Sequence, residues 1–283
     1  MAGRTVWYPG HMASGERELS KLINKLDLIV EIRDARAPKL TSSPTIKSIS
    51  KHCPVIVVLS KRDLATEEAT LAWLKYFESN GTRAWAFNMK KANLEQMLKA
   101  LAKARPPHRE LRLAVVGIPN VGKSFFLNLL VGKNVAQVGG IPGITRGVSW
   151  YKGNGFLVVD SPGILDPHGG EEIQRRLSWL GCTKVEVIGG FESMGSHLID
   201  FLREKNLLYI LENKWDIKAH SEQSYETQDI LQQIGSRLGC LVQGGNINME
   251  LAGKKLIESF STGKLGSVTI EYPNECPNEY LGD

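Results

Sequence analysis

The stretch Gly117-Ile-Pro-Asn-Val-Gly-Lys-Ser124 has the spacing G-x-x-x-x-G-K-S, the pattern of a phosphate-binding loop. Its two fixed glycines let the backbone curl so that successive N–H groups point at a phosphate, and a helix starting near Lys123 adds its positive end. Lys123 supplies a point charge for the β- and γ-phosphates, and Ser124 a hydroxyl for magnesium. Downstream, Val138-Gly-Gly-Ile-Pro-Gly-Ile-Thr-Arg146 is too rich in glycine and proline for regular structure. It offers Thr145, a hydroxyl able to join magnesium when a γ-phosphate is present. Phe156-Leu-Val-Val-Asp160 reads as a strand ending in an aspartate, about 40 residues past the loop, followed by Ser161-Pro-Gly163. Asp160 is suited to hold magnesium and the Gly163 backbone to sense the γ-phosphate. Any one of these could be a chance match in a turn; together they point to a nucleoside triphosphate with its metal.

A second chemistry is base reading. In guanine-nucleotide proteins an N/T/S-K-x-D turn at a strand end reads the base: the aspartate accepts from the ring N–H and exocyclic amine, and the lysine stem lies along the base. Adenine lacks that donor pair, so a buried aspartate would be left unpaired. Ser60-Lys-Arg-Asp63 fits this pattern, and so does Asn213-Lys-Trp-Asp216, which matches the usual letters better. A charged turn after a strand is the ordinary alternative for either. The upstream candidate is preferred because Pro54-Val-Ile-Val-Val-Leu59 is a cleaner buried strand than 206–211. It is also followed by a helix, a strand and a short polar loop at Asn88-Met89, where a base-contacting backbone loop would fall. Finally, the first 110 residues supply only three strands and need a sheet to join.

The elements that must position these groups follow from periodicity. Ser14 to Asp27 reads as a helix with Leu19, Leu22, Ile23 and Leu26 on one face, and Leu28–Arg33 as a strand. A short helix is expected near Ile46, and another at 67–80 with Leu71, Leu74 and Phe77 as its apolar stripe. Thr82–Phe87 and Leu111–Val116 read as strands and Leu94–Ala104 as a helix, with Arg105-Pro-Pro-His108 as a connector. Near the start, Trp7-Tyr-Pro-Gly-His-Met12 combines two aromatics, a tight turn and a histidine. Taken alone, His11 reads as a surface or packed histidine.

The 283 residues leave room for two domains. No apolar run approaches the roughly 20 residues needed to span a bilayer, and the first residues lack a signal-peptide core, so a soluble intracellular protein is expected. Cys53, Cys182, Cys240 and Cys276 form no C-x-x-C pair, which argues against a zinc site or a disulfide framework. Charge is asymmetric: residues 1–167 carry 24 Lys+Arg against 13 Asp+Glu, whereas 168–283 carry 11 against 17. A basic first half that binds a nucleotide is compatible with a polyanionic partner such as RNA.

With the base reader upstream of the phosphate loop, the chain resembles the circularly permuted bacterial GTPases of the YlqF or RbgA type. The resemblance is carried by Trp7–Met12, Asp34-Ala-Arg36 with Pro38, Ser60–Asp63, Gly117–Ser124, Pro142-Gly143 with Thr145, and Asp160–Gly163. It continues through Gly239-Cys-Leu-Val with Gly244-Gly245 and Thr262-Gly-Lys-Leu-Gly266. It implies an α/β, Ras-like P-loop GTPase fold, circularly permuted, over residues 1–168, and a mostly helical rRNA-contacting domain over 169–262. The tail 263–283, with two prolines and four acids, reads as weakly ordered.

The implied activity is slow hydrolysis of GTP to GDP and phosphate, as a switch in assembly of the large ribosomal subunit, by a cytoplasmic monomer with no membrane contact. The implied nucleotide-binding residues are Ser60, Lys61, Asp63, Asn88, Met89, Asn120, Val121, Gly122, Lys123, Ser124, Phe125 and Gly163, with magnesium on Ser124, Thr145 and Asp160. Ras-like enzymes place a water-orienting glutamine after D-x-x-G; here that place is Ile164, which cannot hydrogen-bond water. Relatives with this replacement are thought to use the histidine of the W-Y-P-G-H-M segment, which makes His11 the implied catalytic residue. Asn120 matches an asparagine that helps bind potassium beside the phosphates in potassium-stimulated GTPases; a loop-stabilising side chain is the alternative. Ile164 also keeps open an RNA-binding factor for which GTP is a structural ligand. An unpermuted GTPase with a separate N-terminal RNA domain is what the Asn213 turn would require. Because the second half is acidic, RNA contact is expected from the basic first half or from a local patch such as Arg175-Arg176.

Overall fold

The computed structural model describes residues 17, 19–44, 46–132, 136–138, 150–153, 155–160, 170–185, 188–219 and 225–275. They fall into two compact units, one drawn from Tyr8–Pro167 and Thr269–Asp283, the other from His168–Val268.

The first unit contains β1 (Leu28–Asp34), α1 (Ile46–Ile49), β2 (Val55–Ser60), α2 (Glu67–Ser79), β3 (Ala84–Ala86) and α3 (Glu95–Lys103). It continues with β4 (Leu111–Val116), α4 (Lys123–Val131), β5 (Ala136–Val138), β6 (Trp150–Gly153) and β7 (Phe156–Asp160). The strands form one sheet in the order β3-β2-β1-β4-β7-β6-β5. The run from β3 to β7 is parallel, and β6 and β5 are antiparallel. The junction expected of a permuted chain is the β1–β4 pair, where Leu28 to Glu31 lie beside Leu113 to Val116. Through it the first 110 residues complete the sheet that carries the phosphate loop.

Both sheet faces are covered, which is why the parallel strands are near-continuous apolar runs. On one face Ile29, Ala114, Val116, Leu157 and Val159 pack with Leu19, Leu22 and Leu26, while Val57 and Leu59 pack with Trp73 and Phe77 of α2. The alternate residues Val30, Ile32, Val58, Leu113, Val115 and Val158 are fully buried as well. The inward stripe of α2 is Ala69, Thr70, Trp73 and Phe77 rather than the expected Leu71-Leu74-Phe77, and Leu71 is exposed. Trp73, the largest side chain there, fixes the rotation, because its ring N–H donates to the Glu271 carbonyl at 3.0 Å.

Residues 269–275 differ from the weakly ordered tail expected from their prolines and acids. Thr269 and Ile270 are buried, and the segment lies along the first unit with bonds to Arg36, Lys39, Leu40, Thr66 and Trp73.

The second unit holds α5 (Glu171–Trp179), α6 (Gly190–Glu204), α7 (Tyr209–Trp215), α8 (Thr227–Arg237) and α9 (Met249–Ser261). The helices α6 and α9 cross closely: a Cβ on Gly253 would stand 2.1 Å from the Phe191 carbonyl oxygen. The Glu250 carboxylate of α9 accepts from the Phe191 and Glu192 amides (2.7 and 2.9 Å), which satisfies the free N-terminal donors of α6.

Candidate functional site

In an open parallel sheet, ligands bind beyond the carboxyl ends of the strands where the connections diverge. Here that point lies between β1, whose successor β2 is on one side, and β4, whose other neighbour β7 is on the opposite side. Register puts Asp34, Ser60 and Asp160 at strand ends on one face, since Asp34 pairs with Ser60, Val30 with Val115, and Val115 with Asp160.

The phosphate loop leaves β4 at this point. Gly117 has φ 153°, and a Cβ there would meet the Ile32 carbonyl oxygen at 2.6 Å, so the loop can pass β1 only as glycine. Asn120 (φ 60°) and Gly122 (φ 99°) adopt left-handed conformations that aim the backbone into a concave turn before α4. Val121 is buried beneath the turn, whereas Asn120, Ser124 and Phe125 are exposed. The Lys123 ammonium bridges back to the Ile118 carbonyl at 2.9 Å, which holds its charge over the loop.

Ser60 joins the two halves of the candidate site. Fully buried at the end of β2, its hydroxyl donates to the Val121 carbonyl of the phosphate loop (2.6 Å), with the Arg33 carbonyl 3.0 Å away. This residue ties the Ser60–Asp63 turn to the phosphate loop. Lys61 follows in a left-handed conformation (φ 52°), and its ammonium pairs with Asp34 at 2.9 Å. Asp34 is held in a fork by Arg36, from Nε to Oδ1 (3.0 Å) and from the second guanidinium nitrogen to Oδ2 (2.8 Å). Burial alone would raise Asp34, but the Arg36 and Lys61 charges outweigh it and keep its carboxyl well below the usual carboxylate range.

Asp63 sits in a short 3-10 turn, Arg62–Leu64, and is exposed, unlike the buried aspartate that the discrimination argument starts from. A base bound there would itself have to desolvate the carboxylate. The Arg62 amide donates to the Phe87 carbonyl (3.2 Å) and places the Asn88 loop alongside, where the Asn88 side chain accepts from the Lys90 amide (3.1 Å).

At the other end of the site, Asp160 has a buried Oδ1 with no hydrogen-bond partner among the described residues. Its pKa is raised because burial outweighs the attraction of Lys123. Magnesium is typically held by one or two carboxylates with hydroxyls, waters and substrate phosphates. An orphaned carboxylate oxygen on the strand paired with the loop's own strand, together with the exposed Ser124, fits that cation. Among the described residues there is no cluster of three or more His, Cys, Asp or Glu that would hold a metal without the nucleotide.

His11, Thr145 and Gly163 lie outside the described residues, as do the Trp7–Met12 and Pro142-Gly143 segments and Ile164. The competing Asn213-Lys-Trp-Asp216 is no strand-end turn. Asn213 to Trp215 close α7 in the helical unit, Trp215 is buried, and Asp216 is the left-handed C-cap (φ 54°). Arg175 and Arg176, the local basic patch expected from the sequence, pair with Glu171 and Glu172 on their own helix. Asp34 and Arg36 carry no nucleotide role in the sequence motifs; their D-x-R spacing at the end of β1 is the signal that marks them.

Comparison with known proteins agrees with this geometry. A family profile described as "50S ribosome-binding GTPase" matches residues 112–233, and one described as "RsgA GTPase" matches residues 23–168. Ribosome biogenesis GTPase A of Bacillus licheniformis is 34% identical over 284 residues, covering 95% of this chain and 98% of that protein. The protein of that name from Thermotoga maritima is 31% identical over 274 residues, covering 95% of each. Among solved structures, GNP-bound YlqF from T. maritima superposes with a TM-score of 0.67 at 26% identity, covering 92% of this chain and 98% of that one. A GDP-bound form of YlqF gives 0.66 at 27%, covering 91% and 100%.

Proposed function

This chain belongs to the ribosome biogenesis GTPase A family, and on that footing we propose that it is a GTP-hydrolysing switch in cytoplasmic assembly of the large ribosomal subunit, acting as a monomer through contact with rRNA. The observation that carries the nucleotide part is the Ser60–Val121 hydrogen bond, which fastens a guanine-type turn to a phosphate loop. Lys61 and Asp63 then read the base with the Asn88-Met89 loop, and the amides of 117–124 with Lys123 hold the phosphates. Ser124, Asp160 and Thr145 would hold magnesium, which when bound neutralises charge on the β- and γ-phosphates. Gly163 senses the γ-phosphate through its backbone. Asn120 would help hold a potassium ion, whose charge would do the neutralising work of an arginine finger.

Ile164 cannot orient water, so the imidazole of His11 positions the nucleophile. The polyanionic partner meets the basic first half, where Lys90, Lys91, Lys103 and Arg105 are exposed, since Arg175 and Arg176 are already paired.

The test combines nucleotide binding with turnover. Purified protein is expected to prefer GTP over ATP, to co-sediment with isolated large subunits in a non-hydrolysable GTP analogue, and to turn over faster in potassium than in sodium. His11→Ala is expected to slow hydrolysis about 100-fold or more at nearly unchanged affinity. Preserved turnover in that variant would remove His11 from the mechanism, and equal affinity for ATP would sink the guanine reading.

A further inference from the structure

Lys61 presents its stem to a base only if its far end is fixed, and the fixing contacts run in an unbroken series. The Lys61 ammonium pairs with Asp34 at 2.9 Å. Asp34 is oriented by three donors of Arg36, the backbone amide (3.0 Å to Oδ1), Nε (3.0 Å to Oδ1) and a terminal guanidinium nitrogen (2.8 Å to Oδ2). The Arg36 carbonyl in turn accepts the Ile270 amide at 2.8 Å and, more weakly, the Glu271 amide at 3.4 Å. Glu271 then clasps the next turn of the same loop, with one carboxylate oxygen accepting from the Lys39 and Leu40 amides. Asp34, Arg36 and Ile270 are all buried, so the central links from Ile270 through Arg36 to Asp34 are shielded from water, while the Lys61 and Glu271 ends are partly exposed.

We propose that residues 269–271 are a positioning strap for the guanine-reading turn, acting through Arg36 and Asp34 to hold Lys61 in its left-handed, base-facing conformation. The strap is continuous with the end of the helical unit through 263–268. A signal that pulls on that chain end therefore has a covalent route to guanine affinity. The inference rests on the base-reading role of Lys61 and Asp63 proposed above. Arg36 and Ile270 are positioning residues: neither is asked to touch the nucleotide.

The test uses full-length variants and a fluorescent GDP, with affinity referred to the nucleotide-binding fraction so that loss of folded protein does not enter. Ile270→Pro removes the amide donor, Ile270→Ala keeps it and removes only the side chain, and Arg36→Lys keeps the charge and removes the fork. Ile270→Pro and Arg36→Lys are each expected to weaken GDP binding about tenfold, equivalent to the loss of one well-made buried contact. Turnover at saturating GTP should change less than about twofold, because Ser124, Lys123 and Asp160 are not in the series. Ile270→Ala should stay within about twofold of the parent affinity; equal weakening by Ala and Pro would assign the effect to packing and overturn the strap. Should Ile270→Pro not fold, Arg36→Lys decides. Asp63→Asn serves as the control for the reading beneath, since an amide at that position suits a xanthine in place of a guanine. Parent-like GDP affinity in both Ile270→Pro and Arg36→Lys, with Asp63→Asn shifted to xanthosine diphosphate, overturns the strap and leaves base reading standing. An unshifted Asp63→Asn overturns base reading and the strap with it.

Discussion

Asp34 ends β1 and Asp160 ends β7, on opposite sides of β4 and on the same face of one sheet, yet their surroundings are opposed. Asp34 is fully buried between two cations, with its oxygens bonded to Arg36 and Lys61, and its carboxyl is held far down. Asp160 is half-buried near Lys123, keeps an oxygen without a partner among the described residues, and is pushed up. The difference separates scaffold from chemistry. A carboxylate whose charge is already answered within the fold holds a loop in shape, whereas one that the fold leaves unanswered is available to a ligand that brings positive charge. The Asp34 end is therefore preorganised by the protein, whereas the Asp160 end leaves a carboxylate available to a ligand that brings positive charge.

Substitution should separate the two most sharply in stability. Asp34→Asn leaves the Arg36 guanidinium buried without its counter-charge, and breaking a buried pair from one side costs about 3–5 kcal/mol. Denaturant unfolding measures this directly, and a loss under about 1 kcal/mol would mean that the triad is not the anchor described. Asp160→Asn should do the reverse. Without nucleotide the variant is expected to be no less stable than the parent, because a carboxylate disfavoured by burial is replaced by a neutral amide. Its GTP turnover should fall about 100- to 1000-fold, the scale of losing one preorganised electrostatic contact to a transition state. Marked destabilisation of metal-free Asp160→Asn would place that side chain with the scaffold and erase the contrast.

Much of this arrangement was legible from residue order. The parallel strands announce themselves because both faces are buried and their runs are almost wholly apolar, and the phosphate loop because only glycine passes Ile32 so closely. Residues 136–138 and 150–153 gave no such signal. They are short edge strands in which Trp150 is buried and Lys152 exposed, too few residues for alternation to stand out. The Asn213 turn shows the limit of letters without context, since here N-K-x-D closes a helix and not a strand. The strap was invisible for another reason. Ile270 and Glu271 meet Arg36 and Lys39 across more than 200 residues, and neither local propensity nor periodicity carries information over that separation.

The strap also supplies the smallest of the expected effects, one set by pH. Partial burial pushes the Glu271 carboxyl up from 4.5 to about 6, against the pull of the Leu40 and Lys39 amides and the positive charges of Lys39 and Arg33. A carboxyl raised on folding binds its proton more tightly in the folded state. Its contribution is therefore fully present below about pH 4.5 and is lost as pH rises through about 6. A shift of this size corresponds to about 1–2 kcal/mol once some solvent screening is allowed for. Glu271→Gln keeps an oxygen that accepts from the Lys39 and Leu40 amides and removes the titration. Unfolding free energies of parent and variant should accordingly be close at pH 4.5 and diverge by pH 7.5, with the variant the more stable. The opposite order at pH 7.5 would mean that the Lys39 and Leu40 amides favour the ionised carboxylate more than burial opposes it. Glu271 would then resemble Asp34, a charge answered within the fold.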